Sequence, residues 1–242
     1  MTGFIAYRWR VDDPPADQLA ARLRTVALDQ GWQAVQNGSG WTVLAQAPLG
    51  PAYAYKVVDD HTVVIGSVFD RTATEEGRVA DGVVPDGSQD FAMLCDHLTT
   101  RCWGAYVALQ IEPDEPSSLD IFRDPVGMLD CVLWQCEGVQ IVTSVPEPFI
   151  ADAPPVGLAI DWLRLAALLR FPGSVGDALP LFGVEAVPPG VRLARAGNTR
   201  RTTRLWAPAE FARRRMPPAP PSLSAMIDAC IGAWHSRTGI AI

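Results

Sequence analysis

The spacing of apolar positions changes several times along the chain, and each change marks an element. Gly3 to Val11 is rich in apolar and aromatic residues and reads as a strand at the extreme N-terminus. Asp13-Pro14-Pro15 then offers a helix start, and Leu19, Leu23 and Val26 recur at four- and three-residue spacing until Gly31, which predicts a helix with one buried face. Strands are expected at Gln33–Val35, Trp41–Gln46 and Ala52–Val58, separated by the turn signals Asn37-Gly38-Ser39-Gly40 and Pro48-Leu49-Gly50-Pro51. A further strand is expected from His61 to Phe69.

Phe91, Leu94, Cys95, Leu98 and Cys102 return to helical spacing, so this segment is expected to lie with one face on a sheet. Strands resume at Trp103, with runs at Tyr106–Ile111, Leu119–Phe122, Met128–Gln135 and Val139–Ser144 separated by Pro, Gly and Asp, the rhythm of an antiparallel meander. A helix over Asp161–Arg170 carries Trp162, Leu165, Leu168 and Leu169 and is closed by Phe171-Pro172-Gly173. Antiparallel strands with helices grouped at intervals predict an α+β fold. The last part differs: Met216–Pro221 is Pro-rich and reads as a semi-rigid spacer, and Leu223, Met226, Ile227, Cys230, Ile231 and Trp234 predict an amphipathic helix packed against something. The closing Gly239-Ile240-Ala241-Ile242 has the character of a buried strand's start, so the chain reads as a piece that stops at the opening of a second domain.

With 242 residues and 48% hydrophobic content, the chain can bury a substantial core. Its formal net charge of -7 argues against a surface that tracks phosphates, so nucleic acid is not an expected partner. The one dense basic run, Arg213-Arg214-Arg215, stands beside the Pro-rich stretch and reads as solvated linker. The five cysteines (Cys95, Cys102, Cys131, Cys136, Cys230) form no C-x-x-C pair and read as reduced core thiols. Arg8 and Arg10 interrupt the first apolar run, so no signal peptide is read, and no run reaches membrane-spanning length. The cytoplasm is the expected compartment. His61, His97 and His235 lie far apart and form no constellation, and the eight tryptophans are expected to be mostly core.

Several motifs occur in a meaningful order: Met1-Thr2-Gly3-Phe4-Ile5, Ile65-Gly66-Ser67-Val68-Phe69-Asp70, Trp103-Gly104-Ala105-Tyr106-Val107, Arg123-Asp124-Pro125-Val126-Gly127, Ile141-Val142-Thr143-Ser144, Ala186-Val187-Pro188-Pro189-Gly190 and Trp206-Ala207-Pro208. In that order they resemble the N-terminal class II glutamine-amidotransferase domain of asparagine-synthetase-type ligases. That family begins Met-Cys-Gly-Ile, then shows Asn-Gly-Glu-Ile-Tyr-Asn, Asp-Gly-x-Phe-Ala, Arg-Asp-x-x-Gly, Ala-Ser-Glu and Leu-Pro-Pro-Gly. The resemblance covers nearly the whole chain, and the Arg123 motif is its most specific part. It implies a four-layer αββα Ntn-hydrolase-like sandwich of antiparallel sheets over residues 1–210, a linker over 211–221, and over 222–242 the start of an ATP-dependent synthetase domain.

The substitutions matter for chemistry. Thr2 stands at the family's nucleophilic cysteine, and a threonine is chemically admissible there, with the free α-amine as base. It is less nucleophilic than a cysteine, so the rest of the site must compensate. Yet Ile65 stands where the family's oxyanion-hole Asn precedes its glycine, here Gly66, a loss worth roughly 100- to 1000-fold in rate by analogy. Trp103 replaces an Asp beside Gly104, and no arginine lies between Trp41 and Tyr55 to grip a glutamine carboxylate. The bland readings are equally concrete: Thr2 as a buried first-strand residue, Gly66 and Gly104 as positions where a side chain does not fit, and Arg123 with Asp124 as a structural ion pair or turn.

The resemblance therefore implies a catalytically degenerate glutaminase-like domain, closest to lasso-peptide macrolactam synthetases. These adenylate a side-chain carboxylate and need no ammonia. The implied partners are the synthetase domain of the same protein and a precursor peptide, with ATP and magnesium belonging to that synthetase domain and no cofactor to these residues. The alternatives are an active Ntn amidohydrolase using Thr2, an asparagine synthase that hydrolyses glutamine, and a standalone interaction domain.

Overall fold

A computed structural model describes residues 3–46, 55–85, 90–112, 118–170, 179–196, 199–213 and 222–238. Thr2, the Pro48–Pro51 turn, Phe171-Pro172-Gly173, Arg214-Arg215, the Met216–Pro221 spacer and Gly239–Ile242 lie outside them.

The chain opens with β1 (Phe4–Arg8), buried throughout. Asp13 caps α1 (Pro14–Asp29): its carboxylate accepts from the Ala16 N–H, and prolines fill the first helical positions, where no N–H is needed. The β2 (Trp32–Gly38) and β3 (Trp41–Gln46) hairpin turns at Ser39-Gly40, with a bulge between Ala34 and Gln36. There follow β4 (Tyr55–Val57), β5 (Thr62–Asp70), the short α2 (Arg71–Glu75) and α3 (Phe91–Arg101). Then come β6 (Cys102–Ile111), β7 (Leu119–Arg123), β8 (Val132–Cys136), β9 (Val139–Thr143) and α4 (Glu147–Ile150). A small excursion holds β10 (Ala159–Ile160), α5 (Trp162–Arg170) and β11 (Leu181–Phe182). The described chain closes with β12 (Val184–Ala186), β13 (Val191–Ala196), β14 (Thr199–Arg204), α6 (Pro208–Arg213) and α7 (Leu223–Thr238).

Among the described residues two six-stranded sheets result, ordered β12-β8-β9-β1-β3-β2 and β14-β13-β7-β6-β5-β4, with β10 and β11 forming a separate pair. All these pairings are antiparallel. The side-chain period of two decides what lies between the layers. Phe4 and Ala6 of β1 join Val43, Leu133 and Val142 in a core shared with Ile65, Val107, Ile121 and Leu193 of the second sheet. Ile5 and Tyr7, on the opposite face of β1, pack with Leu19, Leu23 and Ala27 of α1 and Phe149 of α4. On the far side, Val64, Tyr106 and Phe122 pack under Phe91, Leu94 and Leu98 of α3. The architecture is thus four-layered, α/β/β/α, as the sequence reading expects.

Two buried guanidiniums clip the sheets together at opposite ends. Arg8, 2% exposed at the end of β1, donates to the Ser39 and Gly40 carbonyls of its own sheet and, at 2.8 Å, to the Glu112 carbonyl just past β6. Arg123, at the end of β7, donates to the Leu129 and Gly127 carbonyls and, at 3.0 Å, to the Val187 carbonyl just past β12.

Three expectations change. The helix α7 does not bury the face its large apolar residues suggest: Ala229 and Ala233 are buried, whereas Leu223, Ile227 and Ile231 are exposed. It packs on α2 through its small side chains, which allow close approach. The tryptophans are mixed: Trp32, Trp41 and Trp134 are buried, Trp9, Trp103, Trp206 and Trp234 are half-buried, and Trp162 is exposed. The segments that form β12, β13, β14, α2, α4 and α6 are elements that the apolar pattern alone does not announce. Among the described residues, no helix is long and apolar enough to cross a membrane.

Candidate functional site

The motifs singled out in the sequence meet at one end of the sandwich. Gly3 is buried at the start of β1, and a Cβ there would press on Val145 at 2.7 Å and the Trp32 ring at 2.8 Å. The backbone is held on both sides: the Gly3 carbonyl accepts from Gln46 N–H at 2.8 Å, and the Phe4 N–H donates to Ser144 Oγ at 3.0 Å. Thr143 Oγ1 donates to the Phe4 carbonyl at 2.7 Å. The Thr143-Ser144 pair therefore fixes the first strand's entry, a role its position in the Ile141–Ser144 motif alone does not disclose.

Gly66 sits inside β5, opposite Tyr106, and Gly104 inside β6, opposite Val68. Their φ values are +114° and +138°, and an added Cβ would lie 2.1 Å from the Ala105 carbonyl oxygen and 2.1 Å from the Ser67 carbonyl oxygen respectively. Ser67 and Ala105 face each other between them. The two glycines thus form one cross-strand irregularity in which backbone meets backbone, and no L side chain is accommodated at either.

Each of these glycines is preceded by a large apolar side chain. Ile65 is 3% exposed, within the inter-sheet core. The Trp103 ring stacks 4.7 Å from Phe69 and stands 6.2 Å from Trp234 of α7, which also meets Phe69 edge-on at 5.3 Å. Its indole N–H donates to Thr74 Oγ1 at 2.8 Å. Trp234 packs on the inter-sheet core as well, so α7 helps close this end.

Of the two readings of Arg123 and Asp124, an ion pair or a turn, the geometry is that of the turn. Arg123 reaches Asp130 at 3.0 Å, besides its three carbonyls. The Asp124 carboxylate accepts the N–H groups of Val126, Gly127, Met128 and Leu129 and shapes the loop into β8. Burial pushes this carboxyl above its ordinary value, while those N–H groups and Arg123 pull against the shift. The motif is a loop organiser.

Among the described residues, no group of three or more His, Cys, Asp and Glu side chains is placed to hold a metal ion. All five cysteines are free thiols, four of them buried. His97 Nε2 lies 2.7 Å from the Val83 carbonyl, and His61 packs edge-on to Trp41 at 6.4 Å.

One feature escapes run-based reading. Arg192, Arg195, Arg200, Arg201 and Arg204 lie on the β13–β14 hairpin, a concentration hidden in the sequence because strand alternation spaces them out. Residue counts per hairpin, rather than consecutive basic residues, would have signalled it.

No family model matches the sequence, and no curated protein matches it. Among solved structures, the chain is similar to a glutamine phosphoribosylpyrophosphate (PRPP) amidotransferase from B. subtilis complexed with ADP and GMP, at 10% identity and a TM-score of 0.41 over 98% of this chain. It is similar also to a structure described as the allosteric regulatory enzyme of purine biosynthesis, at 10% identity and a TM-score of 0.45 over 99% of this chain. In both cases the match spans 64% of the other chain's length.

Proposed function

We propose that this chain is a glutamine-amidotransferase-like domain of the Ntn type whose glutaminase chemistry is lost, and that it serves as the scaffold half of an asparagine-synthetase-type ligase, of the kind that forms a lasso-peptide macrolactam. The observation that carries the reading is the pair Ile65 and Trp103. In the resembling family these positions hold an amide and a carboxylate; here one side chain lies in the aliphatic core and the other is stacked between Phe69 and Trp234. Ile65 has no polar group to offer a tetrahedral oxyanion, and the Trp103 indole N–H is already given to Thr74 Oγ1, so neither side chain supplies the stabilisation that is usually the largest single contribution to such a site's rate. The four layers, and the motif order along them, support the family reading. ATP and magnesium would be used by a synthetase domain, where the peptide substrate would react.

Glutamate release from glutamine, followed for the chain and for Thr2→Ala, tests this directly. The expected outcome is no release above background from either. Release that vanishes in Thr2→Ala would establish a working nucleophile and overturn the scaffold reading.

A further inference from the structure

We propose that the free edge of β14 is a docking site for an extended acidic segment of a partner polypeptide, which adds to the second sheet as another strand. The proposal stands apart from the glutaminase reading, since it concerns the opposite question of what this domain holds rather than what it cleaves.

Among the described residues the strand ends its sheet, and all six of its residues, Thr199 to Arg204, are exposed. Alternate residues of an edge strand turn their N–H and C=O groups away from the neighbour, where an extended chain can pair with them. Cross-strand partners share a face. Leu193 points into the inter-sheet core, so Arg195, its directly opposite partner Arg200, and Arg204 opposite Val191 emerge on that side. Arg201 emerges on the other face, beside Arg192.

Charge balance separates these arginines. Arg192 is satisfied by Asp120 and lies over the Phe91 ring, and Arg200 pairs with Glu185 of β12. Among the described residues, Arg195, Arg201 and Arg204 have neither a hydrogen-bond nor an ion-pair partner, and the Arg195 Nε is buried without an acceptor. Arg195 opens into a cleft of about 590 Å³, whose other walls include Trp134, Glu137, Val184 and Glu185 from the side of the first sheet. Three unneutralised guanidiniums around one strand edge, on a chain of net charge -7, favour carboxylates on the occupant.

Arginines on an edge can also simply deter self-pairing. The other sheet edges show no such device: β2 carries no charged residue, β12 only Glu185, and β4 only Lys56, which donates to the Val84 carbonyl. A nucleic acid is the less suitable occupant, because its backbone offers acceptors alone and leaves the strand's carbonyls unpaired.

The test uses the whole chain and a fluorescein-labelled peptide of Glu-Glu-Val repeats, which when extended carries carboxylates on both faces, read by anisotropy at low salt. Binding is expected, and Arg201→Glu combined with Arg204→Glu should weaken it by about tenfold or more, the size that losing and reversing two ion pairs produces, with the melting temperature unchanged. The same peptide N-methylated at alternate residues keeps its charge but loses one edge's hydrogen bonds, and one of its two methylation registers should fail to bind. No binding, equal binding of both methylated forms, or binding of poly(dT) as tight as that of the peptide would each overturn the proposal.

Discussion

The helices α1 and α5 read alike in sequence, each carrying leucines at helical spacing, yet they end in opposite circumstances. In α1, Leu19, Leu23 and Ala27 are buried against Ile5, Tyr7 and Ile141 of the first sheet. In α5 no residue is buried: Trp162 is 69% exposed, Leu163 86% and Leu169 77%. The difference lies in what precedes each helix. The helix α1 follows a central strand and returns across it, whereas α5 hangs on the two-residue pairing of β10 with β11, away from both large sheets. An apolar stripe therefore says that covering is favourable, and only topology decides whether the chain supplies the cover.

The largest contrast comes from truncating the two helices. Leu23→Ala should cost about 2–5 kcal/mol in chemical denaturation, because the buried site cannot collapse onto the lost volume. A loss well below that would mean that α1 is held mainly by its caps. The pair Trp162→Ser and Leu163→Ser on α5 should change stability by no more than about 0.5 kcal/mol, while lowering self-association in light scattering. A cost comparable to that of Leu23→Ala would show the α5 face to be covered in the folded chain, and the contrast would disappear.

Thiol chemistry sharpens the same distinction without substitutions. Burial pushes the Cys102 thiol up to about 11 and Cys131 up to about 12, and raises Cys95 further, whereas Cys230 on α7 is raised but only half-buried. With the folded value above the unfolded one, the neutral thiol is the form the fold prefers. The stability it contributes is complete below the ordinary thiol pKa near 9 and is lost as pH rises through the folded values. In mildly alkaline solution a thiol reagent should label Cys230 first, and Cys95, Cys102 and Cys131 only at the rate of unfolding. Rapid labelling of Cys131 would show that the inter-sheet core opens locally.

Particular residues explain what was legible in the sequence. Asp13-Pro14-Pro15 and Gly31 bracket α1 because caps act locally, and Trp41–Gln46 is read to the residue because turn signals in the sequence stand on both sides of it. The four layers follow from a resemblance in motif order rather than from periodicity: β1 is apolar on both faces, so alternation carries no signal there. The strands β12 to β14 are short or arginine-rich, and their pairing is set by long-range register that no local pattern encodes. At the candidate site, the apolar character of Ile65 and Trp103 is visible in the sequence, but the reason for Gly66 and Gly104 is not. Each is explained by the carbonyl across the strand pair, and only pairing reveals it.

Arg8 and Arg123 give the sandwich a mechanical property. Apolar contact between two sheets has no preferred direction, and by itself it would let one layer glide over the other by a side-chain step. A guanidinium fork rooted in one layer that must meet a carbonyl on the side of the other permits no such glide, and two forks, one rooted in each sheet at opposite ends, block translation and rotation together. The layers are therefore pinned like hinged plates with both pins in place, and a shearing force would have to pull a charged group out of its carbonyl cage before any apolar surface parted.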